Sequence, residues 1–204
     1  MSYSLKAASV TLQTVLQQSF AADPALAAYF AGGAIISLGT PDDMEKAGKF
    51  GLSLWLYRLI RDEQTLNQPP LRPAPNRIRR RPLPVRLHYL ITPIISSAAG
   101  GGSPETEQHV LGRVLQTFND HPLLSGADLA DAFQGTDIAL AVRLETIELD
   151  NIARIWDSLE RSYQLCLSYE VGVVPIESAR EDISEVPVDV ALAEFGIGEL
   201  VGGP

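Results

Sequence analysis

Val85-Arg86-Leu87-His88-Tyr89-Leu90-Ile91-Thr92 is the stretch on which the fold turns. Successive side chains of a strand point to opposite faces, so Val85, Leu87, Tyr89 and Ile91 share one face while Arg86, His88 and Thr92 lie opposite. An apolar face backed by a polar one is the pattern of a strand laid on a core; a helix would repeat its apolar stripe every three or four residues. Upstream, residues 52–60 alternate as well. Leu52, Leu54 and Leu56 point one way and Trp55, Tyr57 and Leu59 the other, which predicts a strand with both faces largely covered. Three more strands are read at residues 35–38, at 137–147 (Ile138, Leu140, Val142 and Leu144 on one face) and at 165–176 (Leu165, Leu167, Tyr169, Val171 and Val173 on one face).

Helical spacing appears between these strands. Leu5, Ala8, Leu12, Val15, Leu16 and Phe20 predict a helix over 4–20, interrupted at Asp23-Pro24 because proline cannot continue the hydrogen-bond ladder. Residues 26–31 are alanine-rich and fit a second short helix less decisively, and residues 41–51, polar with two glycines, read as a loop. Ser103-Pro104-Glu105 combines a capping hydroxyl, a proline at the first turn and an acid near the positive helix end. It starts a helix to about Asn119, buried through Val110, Leu111, Val114, Leu115 and Phe118. Residues 127–133 fit a short helical turn, and residues 149–159 a helix packed through Leu149, Ile152, Ile155, Trp156 and Leu159. The order predicts an α+β fold: a single mixed, mostly antiparallel β-sheet with helices packed on one face. Arg86, His88, Arg143, Ser168 and Glu170 fall on the other face, toward solvent or a neighbouring subunit.

Two segments differ in kind. Residues 61–84 hold six prolines (Pro69, Pro70, Pro73, Pro75, Pro82, Pro84), which predicts a long extended loop of polyproline II character. Six of the sixteen basic side chains, Arg72, Arg77, Arg79, Arg80, Arg81 and Arg86, fall within 72–86. Three readings stay open for them: a solvated loop, phosphate contact in a nucleic-acid-binding module, or a docking loop for an acidic protein surface. The interleaved residues are prolines rather than aromatics that could stack on bases, which weighs against nucleic acid. Residues 177–204 carry seven acids against Arg180 alone, yet alternate Val186, Val188 and Val190 before Phe195. They read as an acidic, partly apolar arm able to add a strand to a partner sheet. The expected division is a core domain over 1–178, including loop 61–84, and an arm over 179–204. Arg72, Arg77, Arg79, Arg80, Arg81, Arg86, Val186, Val188, Val190 and Phe195 are the expected protein-interface residues.

Composition narrows the function. The chain has 204 residues, 46% of them apolar and 20% charged, which suits one soluble domain with a core. A net charge of -9 opposes bulk attraction to DNA or anionic lipid. One cysteine, Cys166, forms no internal disulfide, no signal-peptide pattern opens the sequence, and no apolar run approaches the roughly 18 residues of a membrane span. Cytoplasmic synthesis is expected. No catalytic, cofactor-binding or metal residue is expected either. His88, His109 and His121 stand at no zinc-ligand spacing, no Gly-x-Ser-x-Gly elbow exists, and Gly100-Gly101-Gly102 lacks the lysine of a phosphate loop. His88 is read as a strand histidine with a local hydrogen bond.

An ordered set of short matches carries a family resemblance. Leu54-Trp55-Leu56-Tyr57-Arg58 is followed by Pro84-Val85-Arg86-Leu87-His88-Tyr89-Leu90-Ile91-Thr92-Pro93 and Glu105-Thr106-Glu107-Gln108. Leu111-Gly112-Arg113-Val114-Leu115-Gln116, Asp120-His121-Pro122-Leu123-Leu124-Ser125-Gly126, Trp156 and Tyr169-Glu170-Val171 continue it. Over about residues 5–178 the chain resembles the Pvc-type cap, or tail-terminator, family of contractile injection systems. The resemblance implies a structural subunit of a phage-tail-like particle. Such subunits form a ring, usually a homohexamer, on the distal end of the inner tube and the last sheath layer. The ring ends tube growth and anchors the extended sheath. Implied partners are other copies, sheath and inner tube proteins, with no nucleic acid, no small-molecule substrate and no direct membrane insertion. The family has no catalytic residues, so none are carried over.

Overall fold

The computed structural model describes residues 3–65, 69, 71–74, 77–95, 103–180 and 183–184. Its strands are β1 (Ile35–Ser37), β2 (Gly51–Arg61), β3 (Leu71–Ala74), β4 (Arg77–Arg79), β5 (Leu83–Ile94), β6 (Leu123–Ser125), β7 (Ala139–Leu144), β8 (Leu167–Ile176) and β9 (Ile183–Ser184). Six of them form the main sheet in the order β1-β2-β5-β8-β7-β6. The β1–β2 pair is parallel and every other pair in this sheet is antiparallel, as the α+β reading expects. The alternating stretch that opens the sequence lies in β5, between β2 and β8.

The helices are α1 (Ser4–Ala21), α2 (Pro24–Ala31), α3 (Pro41–Lys46), α4 (Pro104–Asp120) and α5 (Leu149–Ser158). Asp23 resolves the ambiguity over α2: its carboxylate accepts from the amides of Ala25 and Leu26, with Pro24 in the first turn. Ser103 caps α4 by accepting from the Thr106 amide. The reading of 41–51 as a loop is corrected by α3. There Thr40 Oγ1 accepts from the Asp43 amide while the Asp43 side chain accepts from the Thr40 amide, a reciprocal capping box. Two single 3-10 turns, Gly126–Asp128 and Asp131–Phe133, occupy the segment read as a helical turn. No helix among the described residues is long and apolar enough to cross a membrane.

The core lies between one face of the main sheet and helices α1, α2 and α4. Leu52, Leu54, Val85, Leu87, Tyr89, Ile91, Tyr169, Val171 and Val174 meet Ala8, Leu12, Leu16, Phe20, Leu26, Val110, Val114 and Phe118. Each fully buried leucine here contributes roughly 1.5–3 kcal/mol through water release. Helix α5 is an addition to the one-face expectation. Its Trp156 packs with Leu90 and Cys166 on the opposite face, flanked by Trp55, Tyr57, Ile152, Ile155 and Leu159. Just past α5, Arg161 forms ion pairs with Asp42 and Glu45 of α3.

Two register shifts change facings that strict alternation predicts. β2 slips against β5 between Leu56 and Arg58, so Leu59 stands opposite Leu87 rather than on the Trp55 side, and is left exposed. β8 slips against β5 between the Val85 and Leu87 positions, so Val174, not Val173, joins Val171 in the core.

The reading of 61–84 as wholly outside regular structure is also corrected. β3 and β4 form an antiparallel pair, and β9 adds to β4, giving a second sheet in the order β3-β4-β9. Proline is compatible with this because Pro73 sits in the edge strand β3, at a register shift between Leu71 and Ala74, while β4 contains none.

Candidate partner-binding surfaces

The second face of the main sheet carries a chain of polar contacts that the strand register builds. Arg86, His88 and Leu90 alternate on β5, and Glu170 and Ser168 pair with His88 and Leu90 from β8. Arg86 Nε donates to Asp62 Oδ1 at 2.7 Å, and its Nη1 reaches Glu170 Oε1 at 3.3 Å. Asp62, just beyond β2 and 1% exposed, also accepts from the Thr65 hydroxyl at 2.6 Å. The Thr65 hydroxyl and then the Arg86 guanidinium hold its carboxyl below the usual carboxylate range, against the opposing effect of burial. His88 Nδ1 lies 2.8 Å from Glu145 Oε1, and the Ser168 hydroxyl donates to Glu145 Oε2 at 2.6 Å. The Tyr57 ring stands edge-on to His88, with its hydroxyl 3.2 Å from Ser168 Oγ.

These groups are arranged for pairing. His88, Glu145 and Glu170 place ligand-capable atoms within 4.8 Å of one another, an imidazole and two carboxylates that a divalent cation could use. The positions are already engaged, since Glu145 bonds both His88 and Ser168 and the Arg86 guanidinium holds Glu170. A fixed positive charge beside Glu170 works against a second cation. Cys166 is buried among Leu90 and Trp156, and burial pushes its thiol up, away from the reactive thiolate. Beside the network, Tyr57, Arg58, Glu145, Arg154 and Ile155 line an open groove of about 540 Å³.

The expected interface residues separate into three groups. Arg72, Arg79, Arg80 and Arg81 are exposed on or beside the β3–β4 hairpin, with Arg77 in β4 opposite Ser184. Arg81 Nε donates to the Pro69 carbonyl across the hairpin. Arg86 is not with them: it lies in β5 and is committed to Asp62 and Glu170. Val186, Val188, Val190 and Phe195 lie outside the described residues. Sequence reasoning missed Asp62 and Glu145. Glu145 falls inside the strand read at 137–147, two places after Arg143, and Asp62 in the segment read as a loop; each gains its role from a partner more than twenty residues away. A polar strand face at Arg86 and His88 was the available signal that partners were needed.

The chain belongs to the Pvc16 N-terminal domain family, whose model matches residues 7–189 and so runs across β9. Its fold is similar to that of the anti-feeding prophage cap, described as the AFP tube terminating cap, with a TM-score of 0.54 and 22% identity over 78% of this chain and 52% of that one. It is similar also to the PVC sheath/tube terminator in its extended state, from an extracellular contractile injection system. There the TM-score is 0.49 with 20% identity, over 72% of this chain and 51% of that one. The chain therefore spans about half the length of each solved protein. No curated protein matches it.

Proposed function

We propose that this chain is a cap subunit of a contractile injection system, a structural protein rather than an enzyme. The observation that carries the reading is membership of the Pvc16 N-terminal domain family over residues 7–189. The likeness in fold to a tube-terminating cap agrees with it. In the proposed role, copies of the chain form a homohexameric ring on the distal end of the inner tube and the last sheath layer. The ring ends tube growth and anchors the extended sheath, in a particle assembled in the cytoplasm.

The physical case rests on what such a subunit needs. A core domain over 1–178 supplies rigidity, while the arginine hairpin and the arm over 179–204 supply contacts to neighbouring subunits. Leu59, Leu83, Leu144 and Leu149 are exposed apolar side chains available to neighbours. Arginine suits the proposed contacts at Arg72, Arg77, Arg79, Arg80 and Arg81, because its planar fork pairs with carboxylates on sheath or tube.

Native mass spectrometry of the purified chain, alone and mixed with inner tube protein, tests the ring. A sixfold species in either sample is the expected result. A chain that stays monomeric with tube protein present, at concentrations where the tube assembles, contradicts it.

A further inference from the structure

We infer that α5 and the connector after it form a releasable strap, which lifts from the second face of the main sheet while the core stays folded, and that the contact of Arg161 with α3 is the clasp that holds it down. This does not depend on the cap reading.

The strap hangs between two fixed points. At one end the Glu145 amide donates to the Ser168 carbonyl at 2.9 Å, and the Glu145 carboxylate bonds His88 and Ser168. At the other, β8 takes up its ladder at Leu167, opposite Ile91. Between them, over 146–165, no backbone group bonds to backbone outside the segment among the described residues. The segment satisfies itself in α5 and its closing turn, where the amides of Leu159 and Arg161 donate to the Trp156 carbonyl. Lifting it breaks no ladder.

The apolar hold is equally local. Trp156 is the one buried residue of α5, and the buried cluster it joins adds only Leu90 and Cys166. By contrast α1 sends Ala7, Ala8, Leu12, Val15, Leu16 and Phe20 into the large core. An element with one buried anchor and no ladder opens at a lower free energy than the core beneath it. Hydrogen bonds and ion pairs then tie the strap down at one place. The Arg161 guanidinium spans Asp42 and Glu45 of α3, and Gln164 Nε2 donates to Glu45 Oε1 at 3.3 Å. A planar fork suits two carboxylates set side by side, and α3 is itself anchored by buried Met44. Release uncovers Trp55, Tyr57, Leu90 and the Cys166 thiol, the apolar part of this face.

Cys166 is the chain's one cysteine and is buried against Trp156, so it reports release without an added label. The full chain is reacted with dithionitrobenzoate across a denaturant series, and hydrogen exchange is followed in α1, α4 and α5. The α5 amides are expected to exchange together and ahead of those of α1 and α4. Cys166 should react through an opening that depends less steeply on denaturant than global unfolding does. Arg161→Ala should speed Cys166 labelling roughly fivefold, with wild type approaching that rate at high salt and α1 and α4 protection unchanged. Arg154→Ala, which removes a charge from α5 but not the clasp, should leave the rate unchanged. Exchange of α5 in step with α1, labelling that tracks global unfolding, or equal rates for the two arginine variants would overturn the inference.

Discussion

The two faces of the main sheet are built on the same strands and solve opposite problems. On the α1–α4 face, β5 presents Val85, Leu87, Tyr89 and Ile91, all buried in one apolar cluster. On the other, β5 presents Arg86, His88 and Leu90, which need Asp62, Glu170, Glu145 and Trp156 to complete them. The first face is held by water release, which is non-directional and tolerant of detail. The second joins an apolar cluster around Trp156 to hydrogen bonds and ion pairs that work only with every partner in place. The first face supplies the larger apolar core. The other makes a charged surface whose shape depends on particular residues.

The largest effect expected is on the apolar face. Leu87→Asp buries a charge with no partner, and the domain should fail to fold, seen as loss of cooperative unfolding by circular dichroism. A folded Leu87→Asp protein would break the comparison at its base. On the opposite face, Trp156→Ala should cost about 3–5 kcal/mol in chemical denaturation, because the indole is the main apolar anchor of α5. A loss below about 1 kcal/mol would mean that α5 is held by its polar flank instead.

Alkali separates the faces further. Burial raises both Tyr89 and Tyr169, directly paired across β5 and β8, to about 12. Their neutral forms are favoured in the folded state, so the stability they contribute is intact below pH about 10 and is lost as pH rises toward 12. The loss should be roughly 2 kcal/mol for each tyrosine, and Tyr169→Phe should shift alkaline unfolding upward in a pH titration. An unchanged alkaline midpoint would show that Tyr169 titrates as an ordinary exposed tyrosine. The smallest effect belongs to Leu59. Its side chain is 46% exposed, so Leu59→Ser should change the unfolding free energy by less than about 0.5 kcal/mol.

The same contrast explains what could be read from the sequence. The apolar face was legible because its signal is local. Leu52, Leu54, Leu87, Tyr89 and Ile91 keep a period of two, and Leu12, Leu16, Val110, Val114 and Phe118 a helical one. Facing failed at Leu59 and Val173, since a register shift is set by pairing across strands and leaves no mark in the strand's own alternation. α3 was hidden by two glycines although its capping box was present in Thr40 and Asp43. On the polar face Arg86, His88, Ser168 and Glu170 were grouped correctly, but Asp62 and Glu145 lie beyond strand ends and are joined only by the fold. In the hairpin, six prolines suggested no ladder at all, whereas β4 occupies the proline-free run Arg77-Ile78-Arg79 and finds partners on both sides.

The most direct measurement of the cap reading is tube length. Inner tube and sheath proteins are assembled with and without this chain, and the particles are measured by electron microscopy. The cap reading predicts that adding the chain shortens the tubes, narrows their length distribution and places a ring of density at one end. Tubes of unchanged length with bare ends, in the presence of folded chain, would contradict it.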